Sequence, residues 1–158
     1  MNLRRTGEDL LSKAKETLKR DGHHAPMVFV YGERDDAIVL LEFSNAEEKY
    51  RAMYAIGRQL ARVYPVAVAF VCEAWMSNSL PEHGQRVADM PDRGEGLAVA
   101  IQTRRLRTWS VALPFTHVGE EFIFGEPISG TDAESELLEE FWRGVIDGEE
   151  EARTWSSN

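Results

Sequence analysis

The stretch Pro65-Val66-Ala67-Val68-Ala69-Phe70-Val71-Cys72-Glu73-Ala74-Trp75-Met76 decides the fold. It is rich in β-forming residues and apolar at odd and even positions alike, so as a strand it offers apolar side chains to both faces of a sheet. Such a strand belongs at the centre of a sheet that is covered on both sides. Glu73 interrupts it near its end. A carboxylate in that setting must reach water at the strand terminus or find a partner, because burying it alone is costly.

On the N-terminal side, residues 6–19 carry Leu10, Leu11, Ala14 and Leu18 at helical spacing, with Thr6 and Asp9 as a capping arrangement and Gly22 as the stop. Residues 27–31 and 37–43 are two β-rich runs joined by the polar turn Gly32-Glu33-Arg34-Asp35-Asp36, a hairpin. Ser44/Glu47 or Asn45/Glu48 opens a second helix, whose face of Tyr50, Met53, Tyr54, Gly57, Leu60, Ala61 and Tyr64 runs until Pro65. On the C-terminal side comes a polar connection over 77–94, anchored only by Leu80, Val87 and Met90. Strands follow over 95–102, 108–115 and 121–124. A last helix is capped by Thr131 or Asp132, carries Leu137, Leu138, Phe141, Trp142, Val145 and Ile146 as a wide stripe, and ends at Gly148.

The resulting order is α-β-β-α-β-β-β(-β)-α, without repeats. It describes an α+β fold with one antiparallel sheet of five or six strands flanked by three helices. Residues 1–148 form one domain and 149–158 a frayed acidic tail. The element order resembles that of roadblock and profilin-like domains, an analogy that carries no function with it.

Charge and cysteine content narrow the classes of function. The 27 acidic against 18 basic residues give a net charge of −9, which argues against non-specific nucleic-acid binding. The lone Cys72 excludes an internal disulfide and suits a reducing, cytoplasmic setting. No stretch approaches the roughly 20 apolar residues of a membrane span, and no apolar run follows Arg4 and Arg5 as a signal peptide requires.

Polar chemistry has few footholds. If the strand from Pro65 pairs antiparallel with the one that starts at Glu95, then Glu73, Arg93 and Glu95 meet at the mouth of the 77–94 connection. A guanidinium between two carboxylates serves as an acid–base pair or an anion clamp, or simply as a salt bridge that pins the loop. The weak candidates for metal ligands are His23 or His24, which as neighbours on a strand point apart, with His117 and Glu73, and His83 lies in the long connection. No His-x-His, His-Glu-x-x-His or Cys-x-x-Cys spacing supports zinc. Cys72 reads as a core residue, Ser77 and Ser79 lack an identifiable base, and Gly94-Glu95-Gly96 precedes a strand rather than a helix. Arg104, Arg105 and Arg107 make a basic hairpin tip beside Trp109, and Trp155 stands in the acidic tail as a docking residue.

The pattern Glu73-Ala74-Trp75-Met76-Ser77, a polar loop, and Pro91-Asp92-Arg93-x-Glu95 resembles an uncharacterised bacterial and phage protein family. The resemblance covers about a third of the chain and implies no activity, cofactor or residue role. The expected function is a non-catalytic protein-interaction module that forms a homodimer or binds another protein, without cofactor, membrane or nucleic acid. The alternative is a small enzyme or ligand-binding domain acting at Glu73, Arg93 and Glu95.

Overall fold

The computed structural model describes residues 1–77, 86, 93–132 and 134–156. Leu80, Val87, Met90, Ser79, His83, Pro91 and Asp92 lie outside them. The described elements are α1 (Leu3–Asp21), β1 (Met27–Gly32), β2 (Ala37–Leu40), α2 (Ala46–Leu60), a 3-10 turn (Ala61–Val63), β3 (Pro65–Met76), β4 (Gly94–Thr103), β5 (Thr108–Val118), β6 (Glu121–Phe124), β7 (Ile128–Thr131) and α3 (Glu136–Ser156). The class is α+β, with three helices on a single antiparallel sheet in the order β2-β1-β3-β4-β5-β6.

The sheet has a seventh strand. β7 pairs with β5 from Trp109↔Thr131 to Ala112↔Ile128, on the edge that β6 uses further along. All four of its residues are exposed, so it has no alternating apolar pattern to announce it. Its pairing comes from the neighbouring strand rather than from its own sequence.

β3 is covered on both sides. Val68 and Phe70 join β1, α2 and α3 in one apolar cluster, while Ala69 and Val71 join β4, β5 and α1 in the other. The faces alternate as the pleat requires. Beneath α1, Trp109 is buried against Gly7, where a Cβ would stand 2.1 Å from the indole ring. Gly7 is therefore a space requirement of the Trp109 ring.

The helix ends differ from expectation in instructive ways. α1 begins at Asn2, whose side chain accepts from the Arg5 N–H at 3.1 Å, a turn ahead of Thr6; Gly22 does close it, in the left-handed conformation. Of the two capping options for α2, Asn45/Glu48 is used: Asn45 accepts the Glu48 N–H, and the Glu48 carboxylate accepts the Ser44 N–H. Thr131 and Asp132 do not cap α3. Thr131 ends β7, Asp132 donates its N–H to the Thr108 carbonyl, and Ser135 accepts the Leu138 and Glu139 N–H groups instead.

Gly148 does not end α3, which runs on to Ser156. The physical reason lies in the neighbouring helix. A Cβ at Gly148 would stand 2.5 Å from the Arg58 carbonyl oxygen, one at Gly144 2.0 Å from that of Tyr54, and one at Gly57 2.0 Å from that of Phe141. These glycines let two backbones touch, and α2 and α3 run side by side in the same direction. Tyr54 donates to Asp147 and Arg58 pairs with Glu151 along the same seam. Leu138, Phe141, Trp142 and Val145 are buried, so most of the apolar stripe is already covered within the chain.

Replacing Gly144 with Ala forces a methyl into backbone that has no rotamer with which to give way. The expected loss is about 1–3 kcal/mol or more, the range of overpacked cores. Urea denaturation of Gly144→Ala against wild type checks it, and equal midpoints would show that the helices are not in backbone contact.

Candidate functional site

β3 and β4 pair with Glu73 opposite Leu97 and Trp75 opposite Glu95. Directly paired residues project to the same face, so Glu73 and Glu95 are diagonal neighbours there. With Ala74 and Trp75 they line a cleft of about 200 Å³. The Arg93 guanidinium lies over the Trp75 ring, 4.9 Å from its centroid. The antiparallel pairing thus brings all three expected residues to one mouth.

Each carboxylate has a specific partner. Glu73 accepts the backbone N–H of His24 at 2.9 Å, tying the start of β1 to the end of β3. His24 is buried, and its Nδ1 lies 2.7 Å from the Ala25 carbonyl oxygen. Glu95 lies 3.3 Å from His117 Nε2, with both side chains about half exposed. His117 reaches it diagonally from β5, where Phe115 is the residue opposite Glu95. A pair so exposed contributes at most about 1 kcal/mol.

The histidines do not converge. His23 is exposed beside the Asp21 carbonyl, His24 sits with Glu73, and His117 sits with Glu95. Among the described residues no group of three or more His, Cys, Asp or Glu is placed to hold a metal. Cys72 is packed against the α2–α3 side of the sheet. Burial, opposed by Lys49 and reinforced by Glu73, pushes its thiol up to about 11.

At the opposite end of the sheet, Arg104 makes a two-pronged contact to Glu149 on α3, both distances 2.6 Å. Arg105 and Arg107 are exposed, while Trp109 is buried under α1. Trp155 is 82% exposed and docks on no core of its own chain. Sequence reasoning grouped Glu73 with His24 only as metal ligands and missed both the hydrogen bond between them and the Glu95–His117 contact. Both are long-range pairings that only strand register could reveal.

These features describe a small α+β sheet protein with helices on both faces and a polar mouth at the end of its central strands. Among the described residues no helix is long and apolar enough to cross a membrane. The chain matches the family model described as bacteriophage lambda protein ea47 over residues 2–143, and it belongs to the phage lambda Ea47 family. The match extends far beyond the mouth residues that first suggested a phage family. No curated protein and no solved structure matches the chain.

Two predictions follow from the mouth. Glu73→Ala strands a buried N–H and should cost about 1–3 kcal/mol, whereas Glu73→Gln keeps an acceptor and Glu95→Ala removes only a surface pair, so both should stay within about 0.5 kcal/mol of wild type. Thermal melts of the three variants decide whether Glu73 serves this contact. Cys72, its thiol held neutral by the raised pKa, should resist iodoacetamide at pH 8 and react progressively faster as the pH approaches 11. Full alkylation of the native protein within minutes at pH 8 would contradict its burial.

Proposed function

We propose that the protein is a non-catalytic interaction module whose partner is a second copy of itself, joined through the open edge of β2. The observation that carries this reading is the composition of that edge. Ala37-Ile38-Val39-Leu40 contains no charge and no proline, and Ile38 and Leu40 are 63% and 61% exposed. Edge strands of monomeric proteins are commonly guarded by charge, proline or a bulge, and this one is not. Ile38 and Leu40 share a face with Phe29 and Met27, their partners on β1, and extend the partly buried edge of the α1 cluster, which Phe29 joins, into solvent.

Antiparallel pairing of β2 with β2 of a second copy satisfies a two-fold axis, because each residue meets its counterpart reciprocally. Such a contact continues that apolar edge across the axis. A four-residue edge buries less than the roughly 800 Å² per partner of a standard stable interface, so the dimer is weak and forms in the micromolar range. A net charge of −9 on each copy opposes it, and added salt screens that repulsion. The lone thiol of Cys72 fits a cytoplasmic setting for such a module.

A second reading rests on the meeting of Glu73, Arg93, Trp75 and Glu95 at one cleft. In it the chain is a ligand-binding domain or small enzyme, with Arg93 as the anion-binding group and the carboxylates as base and orienting group. Native mass spectrometry with and without chelator separates it from the first, since it requires a retained ligand.

Sedimentation equilibrium between about 1 and 500 μM tests the dimer. The expected result is concentration-dependent dimerisation that tightens as NaCl rises from about 50 to 500 mM and is lost in Ile38→Lys with folding intact. A monomer throughout that range, or a dimer indifferent to Ile38→Lys, rejects the β2 interface.

A further inference from the structure

We infer that the cleft where α2 and α3 end together is a binding site for a small phosphate-bearing ligand of mononucleotide size. The cleft has a volume of about 490 Å³, within the range of small-molecule sites. It is lined by Ala61, Gly148 and Ala152, by Arg58 and Arg62 from α2 and its 3-10 extension, by Arg153 from α3, and by Tyr64 as an aromatic wall. Arg34 lies on the Tyr64 ring at 4.5 Å and brings a fourth guanidinium to that wall. An apolar lining with a few convergent charged groups is what a ligand with a flat apolar part and an anionic part requires.

The charges have been placed against the trend of the molecule. In a chain of net charge −9, Arg62 and Arg153 make no hydrogen bond, ion pair or ring contact among the described residues. Two of the carboxylates nearby are engaged, Glu151 with Arg58 and Glu149, which lines the cleft, with Arg104, while Glu33 stands beside Tyr64 and Arg104. Arginines near helix C-termini also offset the helix dipole, and here two helices end side by side. Their ends amount to roughly half a negative charge each, about one in all, against two uncommitted guanidiniums. Two guanidiniums without a side-chain partner among the described residues are left at the cleft.

Tyr64 supplies an independent sign. Its φ of 54° and ψ of 69° place it in the left-handed region, where glycine or asparagine sits with less strain. The ring is 43% exposed and belongs to neither apolar cluster, so core packing does not explain an aromatic residue there. Its N–H donates to the Ala61 carbonyl and its own carbonyl accepts the Glu33 N–H, bonds that do not depend on the aromatic side chain. Strain held at a cleft by a residue with no packing role points to ligand contact.

Isothermal titration of the intact protein at low salt tests this with three probes: AMP, inorganic phosphate and a short single-stranded oligonucleotide. The variants are Arg62→Gln/Arg153→Gln and, as a control with the same charge change, Arg51→Gln on α2 with Arg143→Gln on α3. Arg62 and Arg153 are exposed, so their replacement leaves folding intact, and a thermal melt verifies it. AMP should bind more tightly than inorganic phosphate, and the cleft variant should weaken it at least about tenfold while the control stays near wild type. AMP binding that is absent, no tighter than that of phosphate, or equally weakened by both variants overturns the proposal. Binding of the oligonucleotide without AMP also overturns it, because the arginines would then track a nucleic-acid backbone.

Discussion

Coverage of β3 on both faces is the constraint from which the remaining architecture follows. A strand with Val68 and Phe70 on one side and Ala69 and Val71 on the other cannot lie at an edge or under a single layer. The chain meets this with unequal means. One face receives the single helix α1, which reaches across β3, β4 and β5, and the other receives the α2–α3 pair. Because α1 is displaced toward β4 and β5, the β1–β2 end of its face is left thinly covered. The exposed Ile38 and Leu40 are a geometric consequence of where α1 sits.

The helix pair adds a second constraint. Two helices can share one side of a narrow sheet only by coming close together, and Gly57, Gly144 and Gly148 permit backbone contact there. This is where local reading of the sequence is misled. Gly148 follows an apolar stripe and precedes an acidic run, the ordinary pattern of a helix stop, yet its role is set by the carbonyl of Arg58 ninety positions earlier in the chain. The acidic run then proves useful within the helix, as Glu149 and Glu151 reach Arg104 and Arg58. Elements whose signals are local were legible: β3, the β1–β2 hairpin, the Asn45/Glu48 cap and Gly22. Those whose signals are tertiary were not, namely β7 and the role of Gly148, while the Ser135 cap of α3 is local and competed with Thr131 and Asp132. The same division runs through the mouth. Antiparallel pairing suffices to bring Glu73, Arg93 and Glu95 together, but the contacts to His24 and His117 depend on register with β1 and β5.

At that mouth, the carboxylate that interrupts β3 has a structural use. β3 needs no polar residue for its own packing, whereas the buried start of β1 leaves the His24 N–H without a ladder partner, and Glu73 provides one. Glu95 and His117, half in water, contribute little to stability, so the local structure does not require them. The two carboxylates therefore differ in kind although they line one cleft. Any ligand reading of the mouth has more freedom at Glu95 than at Glu73, whose hydrogen bond is already committed.

The parallel packing of α2 and α3 also gives the protein an electrical direction. Antiparallel helices cancel their dipoles; parallel ones add them. Glu47, Glu48, Glu136 and Glu139 stand in the first turns, at the positive ends, and Arg58 and Arg153 stand in the last turns, at the negative ends. Each choice is worth only tenths of a kcal/mol by itself. Their joint effect is to favour both ends of the pair, and along the last turns of α3 Glu149 and Glu151 are matched by Arg104 and Arg58. The glycines that bring the backbones together thus also bring the arginines of both helices to one cleft.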